Sequence, residues 1–164
     1  MIFLYLETLL IVNKILKLKI PPALQFLIIA ALMYGVSQSF GKQFTFPFQY
    51  VFAWLFFILG VIVGLISVLL FKTVNTSIDP LHPLKASKLI TTNIYRYTRN
   101  PMCLGLLLIL IGLFIIFGNY YNLILLILFV WYITTFQIKL EEQILHKIFG
   151  ENFTIYCKKT RRWI

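Results

Sequence analysis

Acidic residues are scarce in this sequence. Its 164 residues include 5 Asp and Glu against 15 Lys and Arg, and only 12% of all residues are charged. Hydrophobic residues make up 60% of the chain, well above the roughly 45 to 50% of a soluble domain. So little charge on so apolar a chain excludes an ordinary soluble domain and indicates an integral membrane protein.

Patterns that hold metals or soluble nucleotides are also missing. The two cysteines, Cys103 and Cys157, have no metal or redox spacing, and neither His82 nor His146 has a ligand-like partner. The chain has no Gly-rich strand-to-helix fingerprint, which argues against a soluble domain of the dinucleotide-binding type. We therefore predict no metal site and two free thiols.

What the sequence does contain is long uncharged runs, at residues 20–41, 43–71 and 100–138. Each of the first two is long enough for one helix across a hydrocarbon core of about 30 Å. The third would reach roughly 58 Å as one helix, about twice the core thickness, so it must fold back. Its "GNYYN" stretch, residues 118–122, supplies turn residues and interfacial tyrosines. We predict an all-α integral membrane protein with transmembrane helices at 20–41, 48–71, 101–117 and 121–138.

The basic residues lie almost entirely on one side of these four spans. Three precede the first helix, five lie between the second and third, and six follow the fourth, so 14 lie on one side and Lys42 alone on the other. The positive-inside rule then places both termini in the cytoplasm. This distribution explains the net charge of +10 without a nucleic-acid partner.

The first 19 residues form an apolar stretch interrupted by Glu7, with lysines only after the apolar part. A secretory signal carries its positive charge first, so we interpret residues 1–19 as an interfacial segment, with a fifth span as the alternative. Residues 139–164 are predicted to be a cytoplasmic segment that continues the fourth helix. Its last part combines aromatic and basic residues, including Arg161 and Arg162, which is typical of a segment at an anionic membrane surface.

Two polar motifs flank the predicted hairpin of the last two spans. Asn100 and Pro101 are a favoured cap and first residue of a helix, and Arg99 beside them makes this helix end suited to an anion. Glu141 and Glu142 follow the last span, so they lie on the same cytoplasmic side as Arg99. Adjacent positions on a helix point about 100° apart, so one glutamate can face the bundle while the other faces water or a lysine. A ligand with a carboxylate, a positive centre and ribose hydroxyls would match these groups, and S-adenosylmethionine has all three.

The segments "KLITTNIYRYTRNPMCLG" and "EEQILHKIFGENFTIYCKKTRRW" resemble the isoprenylcysteine carboxyl methyltransferase and phospholipid methyltransferase superfamily, especially its short prokaryotic members. The resemblance covers residues 78–164. It implies that residues 1–164 form a single membrane methyltransferase domain, located in the prokaryotic inner membrane. It also implies a pocket for S-adenosylmethionine, formed by the cytoplasmic loop and the ends of the last two helices and covered by the C-terminal segment.

The same resemblance implies a set of cofactor-binding residues: Ser87, Lys88, Leu89, Ile90, Tyr95, Asn100, Pro101, Met102, Cys103, Glu141 and, as a supporting partner, Glu142. Arg99 is the candidate catalytic residue. Cys103 stands where a tyrosine is common in the family. Gln137, with Lys139 nearby, stands where the eukaryotic carboxyl methyltransferases use an arginine for the substrate carboxylate, so the acceptor stays open: a small or lipid-tailed carboxylate, amine or thiol.

Two other functions remain open from the sequence. One is a membrane reductase with a nicotinamide cofactor, since the final helices of sterol reductases look similar. The other is a small membrane protein without enzymatic activity, which would bind no cofactor. Partners common to the enzymatic hypotheses are the lipid bilayer and an amphiphilic substrate.

The charge asymmetry predicts the topology directly. Reporter fusions after Lys42 or at Asn119 should report an extracytoplasmic location, whereas fusions near Lys85 and at the C-terminus should report a cytoplasmic one. Alkaline phosphatase and green fluorescent protein fusions measure the two sides separately. A cytoplasmic signal at Asn119 would contradict the four-helix prediction.

Overall fold

The computed structural model describes residues 21–73 and 89–164, and the regular secondary structure of these two stretches is helical. The helices are α1 (Pro22–Phe40), α2 (Gln49–Thr73), α3 (Pro101–Phe117), α4 (Tyr121–Ile133), α5 (Lys139–Phe149) and α6 (Glu151–Lys159). A 3₁₀ helix at Asn93–Arg96 precedes α3, and a π-helical turn at Thr134–Ile138 joins α4 to α5. The predicted interfacial segment 1–19 lies outside the described residues. This part of the chain confirms the all-helical prediction.

Three of the described helices are long and apolar enough to cross a membrane: Pro22–Phe40, Gln49–Leu70 and the continuous helix Tyr121–Phe149. The last of these consists of α4, the π-helical turn and α5. Helix α3 is equally apolar but has only 17 residues, a length of about 26 Å against a hydrocarbon core of about 30 Å. Three spans therefore follow from length and composition, and the fourth stays a prediction.

The outer surface of these helices is strongly apolar. Leu27, Val51, Ile127 and Trp131 each expose more than half of their surface. Contiguous exposed apolar surface on this scale is unfavourable in water and is matched by the hydrocarbon core of a bilayer. Within residues 21–73 and 89–164, one cluster of buried side chains packs between the helices: Met33, Cys103, Leu110, Leu126, Phe129, Ile133 and Ile138.

Helices α2 and α3 approach each other closely because glycines face one another along the contact. A Cβ built on Gly60 would lie 2.6 Å from the carbonyl oxygen of Gly105, and one built on Gly105 would lie 2.7 Å from the carbonyl oxygen of Gly60. Neither position has room for a methyl group. Small residues at helix contacts allow the close backbone packing that holds membrane helices together where the hydrophobic effect does not.

Polar groups join the two helix-connecting loops at the end of the bundle remote from Glu141. Gly118 ends α3 in a left-handed conformation, and its carbonyl accepts hydrogen bonds from the amides of Gln43 and Phe44 at 2.7 and 2.9 Å. Asn119 donates to the carbonyl of Gly41 at 2.7 Å. The helix break thus lies where the sequence has turn residues, at 118–122. The hydrogen bonds of Gly118 and Asn119 fix α3 and α4 against the loop that follows α1.

We predict that Gly105→Ala destabilises the protein, because its new methyl group would overlap the α2 backbone. Overpacking of this kind costs about 1 to 3 kcal/mol. The matched control is Gly64→Ala on α2, where a Cβ would have nothing within 4 Å. Thermal unfolding of both variants in the same detergent measures the difference. Equal melting temperatures for Gly105→Ala and Gly64→Ala would contradict this account of the α2–α3 contact.

Candidate functional site

The segment after α6 lies along the loop that precedes α3. The amide of Arg99 donates to the carbonyl of Arg161 at 3.0 Å, and Thr98 and Arg161 form an isolated parallel β-bridge. The carbonyl of Arg162 accepts two further hydrogen bonds, from Thr98 Oγ1 at 3.2 Å and from Asn100 Nδ2 at 3.1 Å. These bonds attach the C-terminal segment to the beginning of α3.

Asn100 and Pro101 occupy the helix positions that the sequence predicts. Pro101 is the first residue of α3, and Asn100 is its N-cap residue. The Asn100 side chain makes no capping hydrogen bond to its own helix, however, and donates to Arg162 instead. Its role is therefore to join two segments, which the local capping preference does not reveal.

Glu142 is held by two arginines. Arg162 binds it through both nitrogens of a planar fork, with Nε 3.0 Å from Oε1 and Nη2 2.6 Å from Oε2. Arg99 Nη1 lies 3.3 Å from Oε1. Paired contacts of this geometry are the strong form of a charge-assisted hydrogen bond. Arg162 therefore does more than lie at the membrane surface, because it joins Arg99 in binding Glu142.

Glu141 has a different environment from its neighbour. Its Oε1 accepts a hydrogen bond from Gln137 Nε2 at 2.7 Å, one helical turn earlier. Gln137 and Ile138 are both buried although they are consecutive in sequence. The π-helical turn at Thr134–Ile138 accounts for this, since the amide of Lys139 bonds to the carbonyl of Thr134, five residues back. The wider turn shifts the angular position of α5, and with it Glu141, relative to α4.

Two tyrosines line the side of the site formed by the loop and α6. Tyr95 is buried, and its carbonyl accepts a hydrogen bond of 2.6 Å from the hydroxyl of Tyr156, which is also buried. Burial raises the pKa of Tyr95, and the neighbouring Tyr156 and Glu141 raise it further. Burial also raises the pKa of Tyr156, against the opposing effect of Arg99. Both phenols are consequently neutral at physiological pH, and Tyr95 lies within the electrostatic influence of Glu141.

The remaining predicted residues divide into two groups. Ile90 and Cys103 are buried, while Leu89 and Met102 are partly exposed. Cys103 and Tyr95 both lie in the neighbourhood of Glu141. The structure thus brings Tyr95, Cys103 and Glu141 together. Ser87 and Lys88 lie outside the described residues, so the predicted cofactor set is only partly located.

Arg99 has a buried donor without a partner among the described residues. Its Nη1 contacts Glu142 and also Cys157 Sγ. Its Nε is buried and has no hydrogen-bond partner among residues 21–73 and 89–164. A buried donor without a partner is costly, so this atom is a candidate contact for an anionic group.

Sequence reasoning missed the residues that hold the site together. Tyr156, Thr160 and Trp163 fix the C-terminal segment through hydrogen bonds to Tyr95, Arg96 and Thr134, respectively. The only local signal was the recurrence of aromatic and hydroxyl residues in "NFTIYCKKTRRW". That composition fits a membrane-surface segment equally well, so it could not identify the partners.

Comparison with known families decides the class of protein. The model of the phospholipid methyltransferase family matches residues 48–152, well over half of the chain. The chain belongs to the phospholipid methyltransferase family. It is therefore a methyltransferase with membrane-spanning helices, and the match supports this activity over a nicotinamide-dependent reductase. No curated protein and no solved structure matches the chain.

We predict that Glu142→Gln destabilises this methyltransferase, because two arginines would lose their anionic partner. A hydrogen bond to a charged group contributes about 1.5 to 3 kcal/mol, and each kcal/mol corresponds to about 2 to 4 °C in melting temperature for a protein of this size. Thermal unfolding in detergent measures the loss.

Glu151→Gln is the matched control, because Glu151 is exposed on α6. A double-mutant cycle with Arg162→Gln separates the pair from the single residues. If the effects of Glu142→Gln and Arg162→Gln are simply additive, the two side chains do not stabilise each other.

Proposed function

We propose that this protein transfers a methyl group from S-adenosylmethionine to a lipid-tailed or small amphiphilic acceptor at the cytoplasmic face of a prokaryotic inner membrane. The observation that carries the proposal is the family match across residues 48–152. It includes the Arg-Asn-Pro and Glu-Glu motifs at the two ends of the α3–α5 hairpin. The orientation follows from the basic residues and remains part of the proposal.

The division of the two glutamates supports Glu141 as the cofactor-binding acid. Glu142 is bound by Arg162 and Arg99, whereas Glu141 receives a hydrogen bond from Gln137 and has acceptor capacity for others. Ribose hydroxyls or an ammonium group are suitable donors for such a carboxylate. Tyr95, which lies near Glu141, would supply a neutral aromatic wall.

The beginning of α3 suits the carboxylate of the cofactor's methionine part. Asn100 is the N-cap residue of α3, and Pro101, Met102 and Cys103 begin its first turn, where backbone N–H groups and the helix dipole favour a negative charge. The unpartnered Nε of Arg99 lies at the same end. A carboxylate bound there would satisfy a donor that the described residues leave without a partner.

S-adenosylmethionine, when bound, supplies an electrophilic methyl group on a sulfonium. The protein's contribution is then orientation and the exclusion of water, for which the buried side chains of Tyr95, Cys103 and Ile90 are suited. Orientation of two reactants can lower a barrier by up to roughly 7 to 11 kcal/mol. Such a displacement needs no metal from the protein, which agrees with the predicted absence of a metal site.

The methyl acceptor in this proposal is a lipid-tailed or small amphiphilic carboxylate, amine or thiol. Gln137 replaces the arginine that the eukaryotic carboxyl methyltransferases use for a carboxylate, and its amide nitrogen already donates to Glu141. We therefore assign Gln137 first to the orientation of Glu141 and keep substrate contact as a prediction. The exposed apolar surfaces of the helices suit an acceptor that arrives from the bilayer.

The deciding experiment is isothermal titration calorimetry of S-adenosylmethionine with the purified protein in detergent, with a chelator present. We expect the parent protein to bind. Glu141→Gln should bind about tenfold to hundredfold more weakly, because a charged hydrogen bond in a desolvated site contributes about 1.5 to 3 kcal/mol. Glu151→Gln, which changes an exposed acid on α6, should bind as the parent does.

Two outcomes would contradict the proposal or part of it. Absence of binding by the folded parent would overturn the dependence on S-adenosylmethionine. Equal binding by parent and Glu141→Gln would show that Glu141 is the wrong acid. Glu142→Gln is the next variant to measure in that case, with its melting temperature determined alongside.

A further inference from the structure

An open cleft of about 800 Å³ lies between the segment that precedes α3 and the outer side of α6. Its described lining comes from two regions of the chain: Leu89, Thr91 and Arg96 on one side, and Asn152, Ile155, Tyr156, Lys159 and Thr160 on the other. Of these residues, only Leu89 belongs to the set predicted for the cofactor. Tyr156 also lines the candidate site beside Tyr95. The cleft residues to which the proposed cofactor binding gives no role are Thr91, Arg96, Asn152, Ile155, Lys159 and Thr160.

The two sides of the cleft are fixed relative to each other. Thr160 Oγ1 donates to the carbonyl of Arg96 at 3.3 Å, and the hydroxyl of Tyr156 donates to the carbonyl of Tyr95 at 2.6 Å. Both Tyr156 and Thr160 are buried. The cleft is consequently a formed site rather than a gap between two independent surface segments.

The chemistry of the lining favours an anion. Arg96 and Lys159 supply two positive charges from opposite sides, and neither forms an ion pair within the described part of the chain. Thr91, Asn152 and Thr160 add neutral hydrogen-bonding groups, and no acidic residue is among the described lining residues. Guanidinium and ammonium groups with hydroxyl donors between them match the oxygens of a phosphate.

The position of the cleft and its apolar part favour a lipid over a soluble anion. Arg96 precedes by five residues the point where α3 begins, and α3 is a helix of apolar residues. Leu89 and Ile155 contribute apolar side chains, and Ile155 exposes 44% of its surface. A phosphate held by Arg96 and Lys159 would thus lie at the height of lipid headgroups, with apolar surface available to its glycerol and acyl parts.

We propose that this cleft binds the phosphate headgroup of an acidic phospholipid in the leaflet that the α3 N-terminus faces. The lipid is an accessory ligand, and its binding does not depend on methyl transfer. Arg96 and Lys159 hold the phosphate oxygens, while Thr91 and Asn152 hydrogen-bond the ester oxygens or the glycerol. Occupation of the cleft would attach α6 to the membrane surface.

The test is native mass spectrometry of the detergent-solubilised full chain, titrated with phosphatidylglycerol or with phosphatidylcholine of the same acyl chains. The parent should retain phosphatidylglycerol preferentially. Combining Arg96→Gln with Lys159→Gln should weaken phosphatidylglycerol binding about tenfold or more, since two charge-assisted contacts are lost.

The matched control combines Arg161→Gln with Lys158→Gln. It removes the same two kinds of charge from exposed neighbours that do not line the cleft. Its affinity for phosphatidylglycerol should stay within about twofold of the parent, because exposed charges contribute little to binding at a distance. A second variant, Arg96→Lys with Lys159→Arg, retains the charge and should recover most of the binding.

Four results would overturn the proposal. The first is equal retention of the two lipids by the parent, and the second is a loss of phosphatidylglycerol affinity in the control variant as large as in the cleft variant. The third is binding of inorganic phosphate with the affinity of phosphatidylglycerol, which would identify a soluble phosphate ligand. The fourth is a loss of S-adenosylmethionine affinity in the cleft variant as large as its loss of lipid affinity, since the cleft would then belong to the cofactor. Failure of the parent to bind S-adenosylmethionine would leave the lipid measurement intact, so the two proposals fail separately.

Discussion

The paired contact between Arg162 and Glu142 is the interaction on which the candidate site depends. Glu142 lies in the last third of the long helix Tyr121–Phe149, and Arg162 lies in the segment that follows α6. A carboxylate near the hydrocarbon boundary is unfavourable without a partner, and the planar guanidinium supplies two donors in fixed geometry. The same arginine offers its backbone carbonyl to Thr98 and Asn100. One residue therefore joins α5, the C-terminal segment and the beginning of α3.

This arrangement gives two adjacent and chemically identical residues different tasks. Glu142 is bound by arginines and stabilises the fold, whereas Glu141 accepts from Gln137 and lies near Tyr95 and Cys103. Because adjacent positions on a helix point about 100° apart, one can face the bundle while the other faces the C-terminal segment. The π-helical turn sets the angle at which the pair leaves the membrane span. A site built in this way requires few charges, as the acid-poor sequence permits.

The rest of the bundle provides rigidity at a distance from the chemistry. The glycine contact between α2 and α3 fixes the helix whose first turn forms one wall of the site. Hydrogen bonds around Gly118 and Asn119 fix the opposite end of the same helix. In a membrane, backbone packing and hydrogen bonds of this kind replace much of the hydrophobic driving force that stabilises soluble proteins. These contacts hold the candidate site in place with few buried side chains among the described residues.

The sequence by itself determined the helical class, the apolar runs, the break at residues 118–122 and the two motifs at the ends of the hairpin. These features are local, because composition, periodicity and turn residues act over a few positions. Only the tertiary structure decided which polar groups meet. Asn100 is a favoured helix cap, yet its side chain bonds to the carbonyl of Arg162. Arg162 is of a type common at membrane surfaces, yet it binds Glu142. No residue pattern in "TTFQI" predicts the π-helical turn. The physical reason is that such partners are brought together by the path of the whole chain, and a one-dimensional pattern carries no information about the distance between residues in space.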